Sequence, residues 1–149
     1  MKRIFSNQQV QEYGQLISDN NPIHQQINMS NINKIDDHNK TSSSNVIVHG
    51  MLSASLFSSI FGTLIPGSLY RSQNLIFHTP VYSNEYVVGK VQVTKIKDLR
   101  RGLLVTCDTT AYQRDLSTSA TGDNGDIEKS IKCIQGNAEV WLPGVKVSH

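Results

Sequence analysis

The sequence predicts an α+β domain in which an antiparallel sheet wraps around one long central helix. Two observations predict it. The segment VIVHGMLSASLFSSIFGTLIPG is apolar or small on every side when wound at helical spacing, the signature of a buried helix. After Gly67 the period switches from helical to alternating, in four runs joined by polar links, as expected of consecutive antiparallel strands. A chain of 149 residues suffices for one such domain with a proper core and is too short for two comfortable ones. No internal repeat or domain boundary stands out, so residues 1–149 are read as a single domain.

Taken in order, Ser6 and Gln9 have the spacing of a capping box, and Phe5 with Val10 the spacing of a hydrophobic staple. Val10, Tyr13, Leu16 and Ile17 then recur at roughly helical spacing. This predicts a helix from about Asn7 to Ile17, ended by DNNP. Residues 25–45 are polar and low in complexity and are expected to form a flexible loop. In the central helix, Leu52, Leu56, Ile60 and Leu64 follow at steps of four, flanked by Phe57 and Phe61. Ser53, Ala54, Ser55, Ser58 and Ser59 let other backbone come close, and Gly62, Pro66 and Gly67 close the helix. Strands are predicted near Tyr70–His78, Tyr86–Ile96, Leu103–Tyr112 and Ile131–Leu142. The polar connection over 113–130 is expected to be a second flexible loop.

Composition excludes several classes of function. Net charge is only +2, with Lys and Arg scattered, so there is no electrostatic footprint for nucleic acid. The longest apolar run, Val46 to Pro66, is broken by His49, four serines and two glycines and is a poor membrane span. The opening MKRIF lacks a hydrophobic signal core, and structure is expected to begin almost at once. Cys107 and Cys133 sit in apolar, strand-like runs without CxxC spacing, so they read as reduced core thiols of an intracellular protein. No set of His, Cys and Asp has metal-ligand spacing along the chain, and no metal is expected.

One short stretch stands apart: SDNNPIHQQ, residues 18–26, with Asp19, Asn21 and His24 grouped around Pro22. Asp, Asn and Pro are ordinary loop residues, because Asx side chains bond nearby backbone and proline presets φ. Yet DNNPIH resembles the hydratase motif of type 2, R-specific enoyl-CoA hydratases of the MaoC-like family. VHGMLSASLFSSIFGTLIPG looks like that family's entry into its central helix, and QNLIFHTPVYSNEYVVGKVQVTKI like its strand–Pro–Val–Tyr–strand segment. The resemblance covers most of residues 13–96 and is strongest to the short, single-hotdog 3-hydroxyacyl-thioester dehydratases, including the form of mitochondrial fatty acid synthesis. It implies a hotdog fold.

The chain departs from the family pattern in four places. Ser18 stands where the family usually has glycine, and Gln26 where an acidic residue often follows the histidine. The loop between His24 and His49 is longer than usual. At most five residues precede the first helix, so the strand that family members commonly carry there is expected to be missing or the sheet to be one strand smaller.

The resemblance implies reversible hydration of trans-2-enoyl thioesters to (R)-3-hydroxyacyl thioesters, the reaction of a hydro-lyase. Such chemistry needs an acid–base pair at Cα and Cβ and donors for the thioester oxygen. By resemblance Asp19 and His24 are the pair, and Asn21 orients the water or the carboxylate. Gly50 is the oxyanion donor at a helix N-terminus, where the dipole favours negative charge, or merely allows a tight entry into the helix. Ser58 and Phe61 line the family's acyl pocket, or simply pack the core. His49 is a neighbour of the active site or a core histidine that holds the turn. Hydration is redox-neutral and requires no cofactor. The expected partners are an acyl-CoA or acyl carrier protein thioester and a second copy of the chain in a homodimer. The resemblance places the protein in mitochondria; otherwise it is cytoplasmic or peroxisomal. Two other readings stay open: a hotdog acyl-thioester hydrolase, and a non-catalytic hotdog partner subunit.

Overall fold

The computed structural model describes residues 1–25, 45–114 and 130–146. Within them the order is β1 (Lys2–Ile4), α1 (Asn7–Ile17), a 3-10 turn (Pro22–His24), α2 (Gly50–Leu64), β2 (Leu69–Phe77), β3 (Tyr86–Leu99), β4 (Gly102–Arg114) and β5 (Ser130–Pro143). The five strands form one sheet in the order β1-β3-β4-β5-β2, antiparallel at every pairing. Most of the two expected loops, at 25–45 and 113–130, lies outside the described residues. At its ends, residues 113, 114 and 130 are strand, because β4 stays paired with β5 through Arg114↔Ser130.

The expectation about the first strand is corrected. Lys2–Ile4 pairs antiparallel with Tyr86–Val88, so three residues suffice for a strand. The pairing is extended by backbone bonds at its end. The amino group of Met1 donates to the Gly89 carbonyl at 2.8 Å, and the Gly89 N–H donates to Met1 O at 2.8 Å.

α1 starts as its sequence dictates. The Ser6 hydroxyl accepts from the Gln9 N–H, and the Gln9 side chain accepts from the Ser6 N–H, closing a capping box. α2 lies against the sheet and builds the core. Leu56, Phe57 and Ile60 meet Phe5, Val10, Val87, Ala111 and Ile134 in one cluster. Phe61 meets Leu103, Val105, Cys107, Ala138 and Val140 in a second. Gly89 permits the close approach of α2 to β3: a Cβ there would sit 2.7 Å from the Leu56 side chain. Cys107 and Cys133 are both buried and unbridged. α2 is not covered all round, as its composition had suggested. Met51, Ser58, Gly62 and Leu64 are exposed, because one sheet covers only one side of a helix.

Candidate active site

The site is assembled where α1 ends. Its last turn closes on Ser18, whose φ of 58° and ψ of 33° lie in the left-handed region. The Asp19 N–H then donates to Gly14 O at 2.9 Å. The chain needs the left-handed conformation, which glycine adopts without strain and serine does not. After it, the Asn21 N–H donates to Asp19 Oδ1 at 3.0 Å, and Asn21 Oδ1 caps the 3-10 turn by accepting from the Ile23 N–H at 3.3 Å. Asn21 therefore holds the carboxylate with its backbone, and its side-chain oxygen serves the turn. Pro22 occupies the first position of the turn, where its fixed φ fits and no N–H is needed.

A second segment, 45–49, arrives from the far side of the sequence. It is pinned to 81–83: the Val48 N–H donates to Val81 O, the Ser83 N–H to Val46 O, and the Val46 N–H to Ser83 Oγ, all at 2.8–2.9 Å. The Tyr82 peptide is gripped in turn by buried Gln113, whose Nε2 donates to Tyr82 O and whose Oε1 accepts from Tyr82 N–H, each at 2.8 Å. This platform presents the Ile47 carbonyl to His24. The Nδ1–H of His24 donates to it at 2.6 Å, which leaves Nε2 as the inward-facing nitrogen.

His24 Nε2 lies 3.8 Å from Asp19 Oδ2 and His49 Nε2 lies 3.7 Å from the same oxygen. The two imidazoles stack with centroids 3.7 Å apart. His49 is enclosed: its side chain is 4% exposed, Tyr13 meets it edge-on at 5.2 Å, and neither ring nitrogen has a hydrogen-bond partner among the described residues. Burial, and then His24, lower its pKa below the ordinary 6.5, against an opposing pull from Asp19. Gly14 makes room for it, since a Cβ there would lie 3.1 Å from Asp19 O and 3.2 Å from His49 Nε2. A cavity of about 570 Å³ opens beside Asp19, His24 and His49, with Val10, Gly14 and Gln15 of α1 on its wall.

The structure thus brings Asp19, Asn21, His24 and His49 together. Gly50 follows His49 at the start of α2, where no side chain caps the helix and the first-turn N–H groups have no partner within it. The Phe77 ring packs over Gly50, 3.2 Å from where a Cβ would stand. Ser58 is exposed on α2, and Phe61 is buried with its ring against Tyr70, centroids 5.3 Å apart. Neither lines the cavity at Asp19, nor a second cavity of about 660 Å³ beside Ile60, Leu64 and Gly89. Gly14, Ile47 and Gln113 were not singled out from the sequence. Only Gly14 leaves a trace there, as a glycine inside a helix where it costs about 1 kcal/mol relative to alanine. Asp19, His24 and His49 also offer one donor atom each within 4.8 Å of one another, a grouping that spacing along the chain does not reveal.

An antiparallel sheet laid over a long central helix defines a hotdog-fold protein, here with an Asp–His pair beside the helix entry. The comparisons narrow the class. Residues 2–114 match the MaoC like domain, and the chain belongs to that family. A 3-hydroxyacyl-[acyl-carrier-protein] dehydratase, mitochondrial, of Arabidopsis thaliana is 30% identical over 143 residues, which span 96% of this chain and 74% of that protein. The (R)-specific enoyl-CoA hydratase of Aeromonas caviae is 37% identical over 79 residues, 52% of this chain and 58% of that protein. The solved structure of the A. caviae (R)-hydratase involved in PHA biosynthesis superposes with a TM-score of 0.69 at 28% identity, covering 96% of this chain and 92% of that one.

Proposed function

We infer that the protein is a hydro-lyase that interconverts trans-2-enoyl and (R)-3-hydroxyacyl thioesters in fatty acid metabolism. The observation that carries this reading is the gap between Asp19 Oδ2 and His24 Nε2, in a chain whose relatives are named hydratases and dehydratases. At 3.8 Å the two atoms are too far apart to bond directly. A water about 2.8 Å from each would subtend an angle of about 85°.

With Nδ1–H committed to Ile47, neutral His24 offers Nε2 as an acceptor, and ionised Asp19 offers Oδ2. A water between them donates both hydrogens and turns an oxygen lone pair toward Cβ of the enoyl group. As the C–O bond forms, the pair takes one proton from the water and a proton is returned to Cα, so the enzyme's proton count is unchanged. The charge that develops on the thioester oxygen is met by the Gly50 N–H at the uncapped start of α2. His49 holds the stack against His24 and backs Asp19 from the buried side. No cofactor enters these steps.

The thioester carrier is coenzyme A or acyl carrier protein, both of which present the same phosphopantetheine arm. The mitochondrial designation of the Arabidopsis relative, shared by a dehydratase of Solanum lycopersicum, supports the same compartment here. Fractionation of cells carrying a tagged full-length protein tests that placement. β2 is an edge strand with Leu69, Tyr70, Ile76 and Phe77 exposed, and α2 has an uncovered face, which supports a homodimer that continues the sheet. A monomer by light scattering would refute it.

The reaction is tested by the loss of enoyl-thioester absorbance on adding crotonyl-CoA, with an (R)-specific dehydrogenase reporting product chirality. Hydration to the (R)-product, lost in Asp19→Asn and His24→Ala, is the expected result. No hydration by folded protein on CoA or carrier-protein substrates would overturn the reading, and release of free thiol instead would indicate a hydrolase.

A further inference from the structure

Asp19 and His24 come from the turn after α1 and His49 from the entry to α2, yet their inward atoms form one cluster within 4.8 Å. Each outward atom of the first two is already fixed. Asp19 Oδ1 accepts from Asn21 N–H, and His24 Nδ1–H donates to the Ile47 carbonyl. That is how metal-binding imidazoles are ordinarily held: the outer nitrogen engages a carbonyl or carboxylate, and the inner one keeps its lone pair. His49 adds an independent observation. Its ring is buried, both nitrogens lack a hydrogen-bond partner among the described residues, and Nε2 faces Asp19 Oδ2 at 3.7 Å. A buried nitrogen left unpaired costs about 1–3 kcal/mol, and a bound cation would satisfy it.

We propose that Asp19, His24 and His49 form a binding site for a divalent transition-metal ion of the Zn²⁺ type, and that the bound ion blocks hydration. Asp19 Oδ2 lies 3.8 Å from His24 Nε2 and 3.7 Å from His49 Nε2, and all three donors lie within 4.8 Å of one another. At metal–ligand distances of about 2.05 Å one ion can bridge the carboxylate to either imidazole, and it takes both once the stacked rings turn so that their lone pairs converge. Two imidazoles and one carboxylate select Zn²⁺, Co²⁺, Ni²⁺ or Cu²⁺ over Mg²⁺ and Ca²⁺, which prefer oxygen ligands. The fourth position faces the cavity beside the three residues. The ion sits where the reacting water is held and occupies the lone pairs of both members of the acid–base pair. Inhibition rests on the hydratase reading; binding does not.

The experiment is titration of metal-free, full-length protein with Co²⁺, followed by visible absorption. A saturable spectrum at one ion per chain, displaced by Zn²⁺ and not by Mg²⁺, is expected. Its affinity falls at least about tenfold in His49→Ala and in the near-isosteric Asp19→Asn, whose folding is checked by circular dichroism. In the crotonyl-CoA assay, free Zn²⁺ at about nine times its Kd lowers kcat about tenfold, and a chelator reverses this. Absence of the spectrum, or a spectrum unchanged in both variants, overturns the site. Zn²⁺ binding that leaves hydration untouched overturns the inhibition. A chain that binds Co²⁺ yet hydrates no thioester leaves the metal site standing and the hydratase reading refuted.

Discussion

The Nδ1–H of His24 donates to the main-chain carbonyl of Ile47 at 2.6 Å, across 23 residues of sequence. A carbonyl can only accept, so neutral His24 carries its proton on Nδ1 and turns the Nε2 lone pair toward Asp19. Long-range ¹⁵N–¹H spectra should show that tautomer for His24; an Nε2–H tautomer would contradict the arrangement. Removal of the ring in His24→Ala should lower kcat by about 10²–10⁴, the usual contribution of a positioned acid–base group.

Gly14 predicts a separable effect on activity. A methyl group there meets His49 Nε2 and Asp19 O at about van der Waals contact or closer, so both must shift by a few tenths of an ångström. Since an error of about 1 Å costs roughly a hundredfold in rate, Gly14→Ala should reduce kcat about three- to tenfold. The better helix propensity of alanine, about 1 kcal/mol, offsets the crowding in stability. Steady-state kinetics alongside thermal unfolding tests this: a variant with unchanged kcat would show that Gly14 is not needed for the alignment.

Ser18 predicts a gain. Its left-handed conformation strains an L-residue by about 1–2 kcal/mol, which glycine removes, while the freer unfolded chain returns about 0.4–1 kcal/mol of that. Ser18→Gly should therefore stabilise the protein by about 0.5–1 kcal/mol, read from the urea midpoint. Ser18→Val, β-branched at the same φ, should do the opposite.

Gln113 predicts a loss that reaches the site from a distance. Its two hydrogen bonds satisfy both polar groups of the Tyr82 peptide, and Gln113→Leu leaves both unpaired. The expected cost is about 2–4 kcal/mol in urea unfolding. Because the 81–83 segment carries 46–48, and Ile47 carries His24, hydration should weaken in the same variant. Activity equal to wild type would break that chain of dependence.

The pH dependence of stability follows from His49, which faces Asp19, His24 and Tyr13. Its pKa is lowered on folding, so between the folded value and the ordinary 6.5 the unfolded chain binds more protons. Its contribution to stability is therefore complete above about pH 6.5 and is lost as pH falls through that window. The Tm should drop on acidification below about pH 6.5, and less steeply in His49→Gln. Equal slopes would place the acid sensitivity elsewhere.

The sequence itself carried the parts of this protein that depend on local period and local bonding. The alternation after Gly67 located the four long strands to within a few residues, and the capping box fixed α1 as Asn7–Ile17. The DNNPIH turn was legible because its ties are short: Asn21 to Asp19, Ile23 to Asn21, and Pro22 setting the backbone between them. β1 could not be weighed from three residues alone, since its pairing depends on β3, more than eighty residues away. Likewise the exposed face of α2 follows from which side the sheet covers, and composition is blind to that.

What only the tertiary structure decided is how the turn becomes a site. His49 lies twenty-five residues beyond His24, on a segment held by Val81, Ser83 and, through Tyr82, Gln113. No spacing rule joins those residues, because their contacts link points far apart in the chain, and the number of residues between them does not set where they meet. The motif named Asp19 and His24, while long-range hydrogen bonds and the gap at Gly14 set the tautomer, the separation and the third neighbour.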